Sequence, residues 1–288
     1  MEHTLLITGA AGYVGAMLVE QFLKRPDIKE IIAIDKEVQP ENLKDPRVTW
    51  LRTNTAEVEW RSIAAAKHPD IVIHTAWQIR ELYANRPLSW KWNVEGSDNV
   101  FDFAFTSPSV DRVVYFSTVA SYGAFPENTM EHRYTEDESF RESEYLYSEE
   151  KRVVEEHLKN KYEKAKQKGR VPKVYIIRPA AITGPRGRYM RVRFGLQAAL
   201  SGTLKIEKRF IYDLISLWVS RVPITKKWLR QYVHEDDITD IVARLSFGDA
   251  CGEYEAFNAA PPGPAVLGPD MAKAVGKKTI MVSPWMVR

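Results

Sequence analysis

Cysteine is almost missing from this chain of 288 residues: Cys251 stands alone, so no internal disulfide can form and ordinary packing must carry the fold. No apolar run reaches the roughly 20 residues that a membrane-spanning helix needs. The best candidate, Phe210 to Val219, is short and holds Asp213, so no membrane partner is expected. Charge of one sign is scarce too, with 41 Lys and Arg against 38 Asp and Glu for a net charge of +3. The basic residues lie in helical patterns that also carry acids, which sets up no polyanion-binding field and argues against nucleic acid as a partner. Repeats and low-complexity tracts are absent, and Pro- and Gly-rich stretches occur only around 184–187 and 259–269. The chain opens on a strand-like run instead of a charged-then-apolar leader, so a cytoplasmic protein is the expectation.

What is present is alternation. Short β-type runs at Thr4 to Thr8, Ile31 to Ile34, Val48 to Leu51, Ile71 to His74, Val113 to Phe116 and Val174 to Ile177 are separated by helical patterns. The main helical stretches are Val14 to Lys24, Leu88 to Phe105 and Ser143 to Lys168. Strand and helix in turn predict an α/β protein built on a Rossmann-type, doubly wound parallel sheet. With 44% hydrophobic residues, the length supports one such core and a small C-terminal lobe. Residues 1–180 are expected to form a Rossmann-type nucleotide-binding domain and 181–288 mainly a substrate-binding lobe, with 232–258 returning to the core.

The segment Thr8-Gly9-Ala10-Ala11-Gly12-Tyr13-Val14-Gly15 follows the first strand directly and opens an amphipathic helix. Gly9 permits a tight turn, Gly12 lets backbone N–H groups approach a pyrophosphate, and Gly15 lets the helix pack closely on the strand. The helix N-terminus offers its partial positive charge to the phosphates. Asp35 ends the second strand, where a carboxylate can accept hydrogen bonds from the adenosine ribose and repel a 2′-phosphate, which favours NAD over NADP. Lys36 beside it could offset part of that repulsion, so NADP stays open.

Tyr147 and Lys151 lie one helical turn apart and project from the same face of the long helix. An ammonium a few ångströms away favours a phenolate and lowers its pKa from about 10, which would make Tyr147 a usable proton-transfer group. Tyr145 has no such lysine. Thr118 ends a buried strand at the carboxyl edge, where it could hold a substrate oxygen. His74 and His234 read as structural residues.

Together these pieces resemble the extended short-chain dehydrogenase/reductase family, of the NAD-dependent epimerase/dehydratase type, from Thr8 to about Ile241. The resemblance is carried by the glycine motif, by Asp70-Ile71-Val72-Ile73-His74-Thr75-Ala76, by Asn93-Val94-Glu95-Gly96, and by the Tyr147 and Lys151 pair. It continues in Ser117 to Gly123, in Arg178-Pro179 with Gly184-Pro185, and in Tyr232 to Asp237. It implies Tyr147, Lys151 and Thr118 as catalytic residues, with Tyr13, Val14, Ala76, Asn93 and Pro179 beside the cofactor and Lys151 reaching the nicotinamide ribose. Asn54 replaces the acid usual near the adenine, a change an amide can tolerate. Ala181 replaces an Asn that in sugar-nucleotide enzymes meets the substrate diphosphate, whereas Arg230 falls on the position of a phosphate-contacting Arg.

Arg186, Arg188, Arg191 and Arg193, interleaved with Tyr189 and Phe194, suit bidentate phosphate binding and stacking. Thr118, Arg188 and Arg230 are therefore the candidate substrate-binding residues. No metal is expected. The leading expectation is hydride transfer with NAD at a secondary alcohol or ketone, on a small-molecule substrate of the nucleotide-sugar type. The alternatives are an NAD(P)-dependent dehydrogenase or reductase of a small or lipid-like carbonyl, and a nucleotide sensor without turnover. A homodimer is compatible with either enzyme.

Overall fold

The computed structural model describes residues 2–79, 85–123, 125, 128–142, 145–187, 221–224, 229–248, 252–274 and 278–281. Its centre is a seven-stranded sheet of β1 (His3–Thr8), β2 (Ile28–Asp35), β3 (Val48–Arg52), β4 (Ile71–His74), β5 (Arg112–Phe116), β6 (Lys173–Pro179) and β11 (Tyr254–Ala259). The strands lie in the order β11-β6-β5-β4-β1-β2-β3 and are parallel throughout. Chain order reverses between β1 and β4, so the loops after these two strands diverge and open a crevice at the carboxyl edge. This is the doubly wound Rossmann-type sheet that the alternating pattern predicts.

The inner strands are apolar on both faces because helices cover both. β4 is buried at every position, and Leu5, Leu6, Ile7, Ile31, Ile32, Val113, Val114, Ile176 and Ile177 are buried with it. Six of the seven strands coincide with runs read from the sequence. β11 does not: among the described residues it pairs with β6 alone, at the sheet edge, and its residues are half-buried up to Ala259, so it carries no continuous apolar run.

The helices of this core are α1 (Tyr13–Phe22), α2 (Trp60–Ala66), α3 (Arg86–Trp90), α4 (Gly96–Thr106), α5 (Leu146–Lys166) and α6 (Glu235–Phe247). A π-helical turn at Lys91–Glu95 joins α3 to α4, so the single helical stretch expected there is continuous but widened at Asn93. His74 is neutral and structural: its Nδ1 lies 2.6 Å from the Thr8 hydroxyl and its Nε2 2.8 Å from that of Ser97. Burial holds its pKa down to about 3.

The chain divides into two compact units, Met1–Ala180 with Glu235–Ala259, and Ala181–His234 with Ala260–Arg288. The second contains short strand pairs: β7 (Ala181–Thr183) with β10 (Tyr232–His234), β9 (Leu229–Arg230) with β12 (Val266–Leu267), and β8 (Arg221–Ile224) with β13 (Lys278–Met281). Among the described residues, no helix is long and apolar enough to cross a membrane.

Candidate active site

At the end of β1, Gly9 takes φ +70°, and a Cβ there would stand 2.7 Å from the backbone of Ala76. Any larger residue would strain the turn and push the β4 loop away. A Cβ on Gly15 would collide with the Gly9 carbonyl, so helix α1 can approach β1 only with glycine here. Gly12 differs. A Cβ there would meet the Gly9 oxygen at 3.0 Å and otherwise open space, and Gly12 caps α1 with no side-chain acceptor and no acid in the first turn. The amides of Tyr13, Val14 and Gly15 thus begin a ten-residue helix whose end carries partial positive charge and is not capped by a side chain. The Tyr13 side chain turns aside and donates its hydroxyl to the Glu235 carboxylate.

Asp35 stands where the sequence puts it, at the end of β2. Its carboxylate accepts from the Ala11 amide at 2.8 Å and the Glu37 amide at 2.9 Å, which locks it against the glycine loop. Lys36 is drawn away, 3.2 Å from the Gln78 amide oxygen and 4.2 Å above the Trp92 ring. Asn54 starts the turn after β3 by accepting from the Ala56 amide at 2.9 Å. Asn93 is fully buried and its amide is engaged internally. It accepts from the Gln78 N–H at 2.7 Å and donates to the Gln78 carbonyl at 3.1 Å and to the Glu150 carboxylate at 2.6 Å. Its described partners make it a fastener of the loop after β4.

The other half of the edge gathers Thr118, Tyr147 and Lys151. Thr118 caps the short turn after β5, its hydroxyl accepting from the Ala120 amide at 3.1 Å. Tyr147, in the first turn of α5, is pushed up to about 12 by burial, against which a hydrogen bond with the Thr118 side chain works to lower it. Lys151 is 3% exposed. Burial holds its pKa well below the usual lysine range, while Glu155 and Glu150 pull it back up. Its ammonium donates to the Phe116 carbonyl and lies 3.6 Å from the centre of the Trp77 ring.

The expected depression of the Tyr147 pKa by Lys151 is therefore not the state described. The two are on one helix face, but the ammonium is turned to a carbonyl and an indole, and desolvation dominates at both groups. Tyr145 is 57% exposed, yet its ring packs against that of Tyr147 with centroids 5.7 Å apart. One turn beyond Lys151, Glu155 is held by a buried ion pair with Arg178 at 2.7 Å, and Arg178 also donates to the Tyr122 hydroxyl at 2.7 Å. Pro179 ends β6, buried, immediately after that arginine.

Trp77 is the functional candidate that the sequence reading passed over. It follows Ala76 directly, and its place just past a core strand on the carboxyl edge was the available signal. Arg230 lies in the second unit, exposed on β9, with its guanidinium 5.7 Å from the Tyr232 ring centre. Arg188, Arg191 and Arg193 lie outside the described residues. No cluster of potential metal ligands occurs among the described residues.

Residues 5–260 match the profile of a family described as the NAD dependent epimerase/dehydratase family. Among solved structures, the Bordetella bronchiseptica enzyme WbmH in complex with NAD+ is similar with a TM-score of 0.73 at 21% identity, covering 98% of this chain and 86% of that one. The Thermus thermophilus UDP-glucose 4-epimerase in complex with NAD gives 0.70 at 22% identity, over 97% and 85%. The Thermotoga maritima UDP-glucose 4-epimerase with UDP-glucose gives 0.71 at 19% identity, over 98% and 86%.

Proposed function

The chain belongs to the NAD dependent epimerase/dehydratase family, and from that premise we propose that it works with NAD at a secondary alcohol or ketone of a nucleotide sugar, giving epimerisation or a related conversion. The observation that carries the reading is the pairing of an uncapped, glycine-lined helix N-terminus with Thr118, Tyr147 and Lys151 along one sheet edge. The residues fit the cofactor. Gly9, Gly12 and Gly15 with the amides of Tyr13 and Val14 would hold its pyrophosphate, Asp35 its adenosine ribose, and Asn54 its adenine side. Ala76, Pro179 and Lys151 would border the nicotinamide half, with Asn93 fixing the loop that carries Ala76. When bound, NAD supplies the acceptor and donor of hydride.

The protein's own part is proton control and positioning. Thr118 would orient the reacting oxygen beside the Tyr147 hydroxyl. Burial keeps Tyr147 protonated, so in this state it is ready to give a proton to a developing alkoxide. Taking the proton back requires positive charge near the phenol, which Lys151 carries and which Glu150 and Glu155 favour electrostatically. Arg188 and Arg230 are the proposed contacts for a substrate diphosphate.

The test is to purify the protein, look for co-purifying NAD, and titrate nucleotide sugars by calorimetry at two salt concentrations. Micromolar binding that weakens with salt supports the reading, because phosphate pairing at exposed arginines is screened. Ala181 favours a second reading, a dehydrogenase or reductase of a simpler carbonyl. Its amide donates at 3.1 Å to the Gln231 carbonyl, and its methyl side chain offers nothing to a diphosphate. If simple ketones change NAD absorbance while no nucleotide sugar binds at millimolar concentration, that second reading replaces the first. The cytoplasm is the proposed location, where nucleotide sugars and NAD would both be at hand.

A further inference from the structure

Trp77 packs against both Tyr147 and Lys151, yet its one side-chain polar atom has no hydrogen-bond partner among the described residues. The ring face covers the Lys151 ammonium at 3.6 Å, and its edge meets Tyr147 at right angles, with centroids 6.2 Å apart and an interplanar angle of 88°. These two contacts fix the indole, one through cation–π attraction and one through ring packing. The indole Nε1 is buried and has no hydrogen-bond acceptor among the described residues. Buried tryptophan N–H groups nearly always find an acceptor, since desolvating one without compensation is unfavourable. Lys151 cannot supply it, because an ammonium only donates.

The neighbouring loop repeats the pattern. The Ser117 hydroxyl, at the end of β5 and one residue before Thr118, is also buried without a partner among the described residues. β4 and β5 are adjacent in the sheet, paired up to His74 and Tyr115. Two orphaned polar atoms thus follow two neighbouring strands on the same edge, both close in sequence to the residues proposed for catalysis. Among the described residues nothing pairs with either atom, and a molecule bound at this edge would.

We propose that Trp77 is a ligand-contacting residue, its indole N–H donating a hydrogen bond to an oxygen of the molecule bound beside Tyr147 and Lys151. This rests on the site assignment above. The acceptor oxygen belongs either to the nicotinamide half of the cofactor or to the sugar. Pre-set by its ring contacts, the donor loses little entropy when the ligand arrives.

The experiment uses the full chain and Trp77→Phe, which keeps an aromatic ring at this position and removes the N–H together with part of the indole's area. NAD is titrated into each protein by calorimetry, then UDP-glucose into the NAD-saturated forms, and thermal unfolding is recorded without ligand. The expected result is a variant that still unfolds cooperatively without ligand, with one titration weakened roughly 5- to 30-fold, the scale of one well-placed hydrogen bond. Weakening of the NAD titration assigns the oxygen to the cofactor, and weakening of the UDP-glucose titration alone assigns it to the sugar. Binding within twofold in both titrations overturns the proposal. If the parent itself binds neither ligand, it is the functional reading of the previous subsection that fails, an outcome distinct from both.

Discussion

The two halves of the sheet's carboxyl edge are built from different materials. Along β1, β2 and β3 the site is mostly backbone: a glycine turn, a helix N-terminus, and the carboxylate of Asp35 held by two amides. Along β4, β5 and β6 it is side chains in a desolvated setting, with Tyr147 pushed up to about 12 and Lys151 held well below its ordinary range. A backbone site costs little to bury, because peptide groups carry no net charge to desolvate. A buried lysine carries a standing desolvation penalty, which marks this half as the candidate for chemistry. The first half should therefore govern what binds and the second what reacts, and mutations can separate them.

The largest effect is expected at Tyr147. Phe keeps the ring against Trp77 and Tyr145 but removes the hydroxyl, so turnover should fall about 10²- to 10⁴-fold, the usual worth of a positioned acid or base. NAD affinity, measured by calorimetry, should stay within about threefold. A loss of binding as large as the loss of turnover would erase the division between the halves.

Gly15→Ala tests the first half at its tightest point. The added methyl would run into the Gly9 carbonyl, so α1 and the loop must part. Chemical unfolding should show a loss of about 1–3 kcal/mol, the cost of overpacking a tight contact, and NAD binding should weaken with it. Unchanged stability would mean that the close approach of α1 to β1 is dispensable. Asp35→Ala is comparable in size but acts on cofactor choice. Losing charge-assisted bonds to a ribose should cost NAD about 1.5–3 kcal/mol of binding while sparing NADP, whose 2′-phosphate the carboxylate repels. Equal weakening of both dinucleotides, or NADP preference in the parent, would break the assignment.

The same contrast explains what the sequence could reveal. Glycine turns and buried strands are local: each needs its residues at fixed spacing, so Thr8 to Gly15 and six of the seven strands could be read directly. β11 escaped because an edge strand with half-buried residues has no apolar signature. The spacing of Tyr147 and Lys151 was equally plain, but not their electrostatics. Whether an ammonium faces a phenol or a carbonyl depends on Phe116 and Trp77, which are 35 and 74 positions away from Lys151 and join it only once the sheet has formed. Asn93 shows the same limit. Its motif was legible, while its bonds to Gln78 and Glu150 are tertiary.

The smallest effect expected on stability is also the one with the least ordinary sign. Lys151→Met should lower turnover no further than Tyr147→Phe does yet raise the melting temperature, because a nearly isosteric apolar chain replaces a buried cation that has no carboxylate in direct contact among the described residues. Since the folded lysine has a pKa well below the value of 10.5 that it recovers on unfolding, the unfolded chain binds more protons between those two values. The parent is thus destabilised as pH falls through that window and regains stability as pH rises toward 10.5. The methionine variant lacks this dependence, so its advantage should be larger at pH 7 than at pH 9.5. Tyr147 does not interfere in that range, because its burial alters stability only above about pH 10, where an unfolded tyrosine begins to ionise. About 1 kcal/mol of relief would appear as an upward shift of roughly 2–4 °C at pH 7 in differential scanning calorimetry. An advantage that grows with pH, or a variant less stable than the parent at every pH, would show that Lys151 is held by contacts worth more than its desolvation costs, and the second half of the edge would no longer be the strained one.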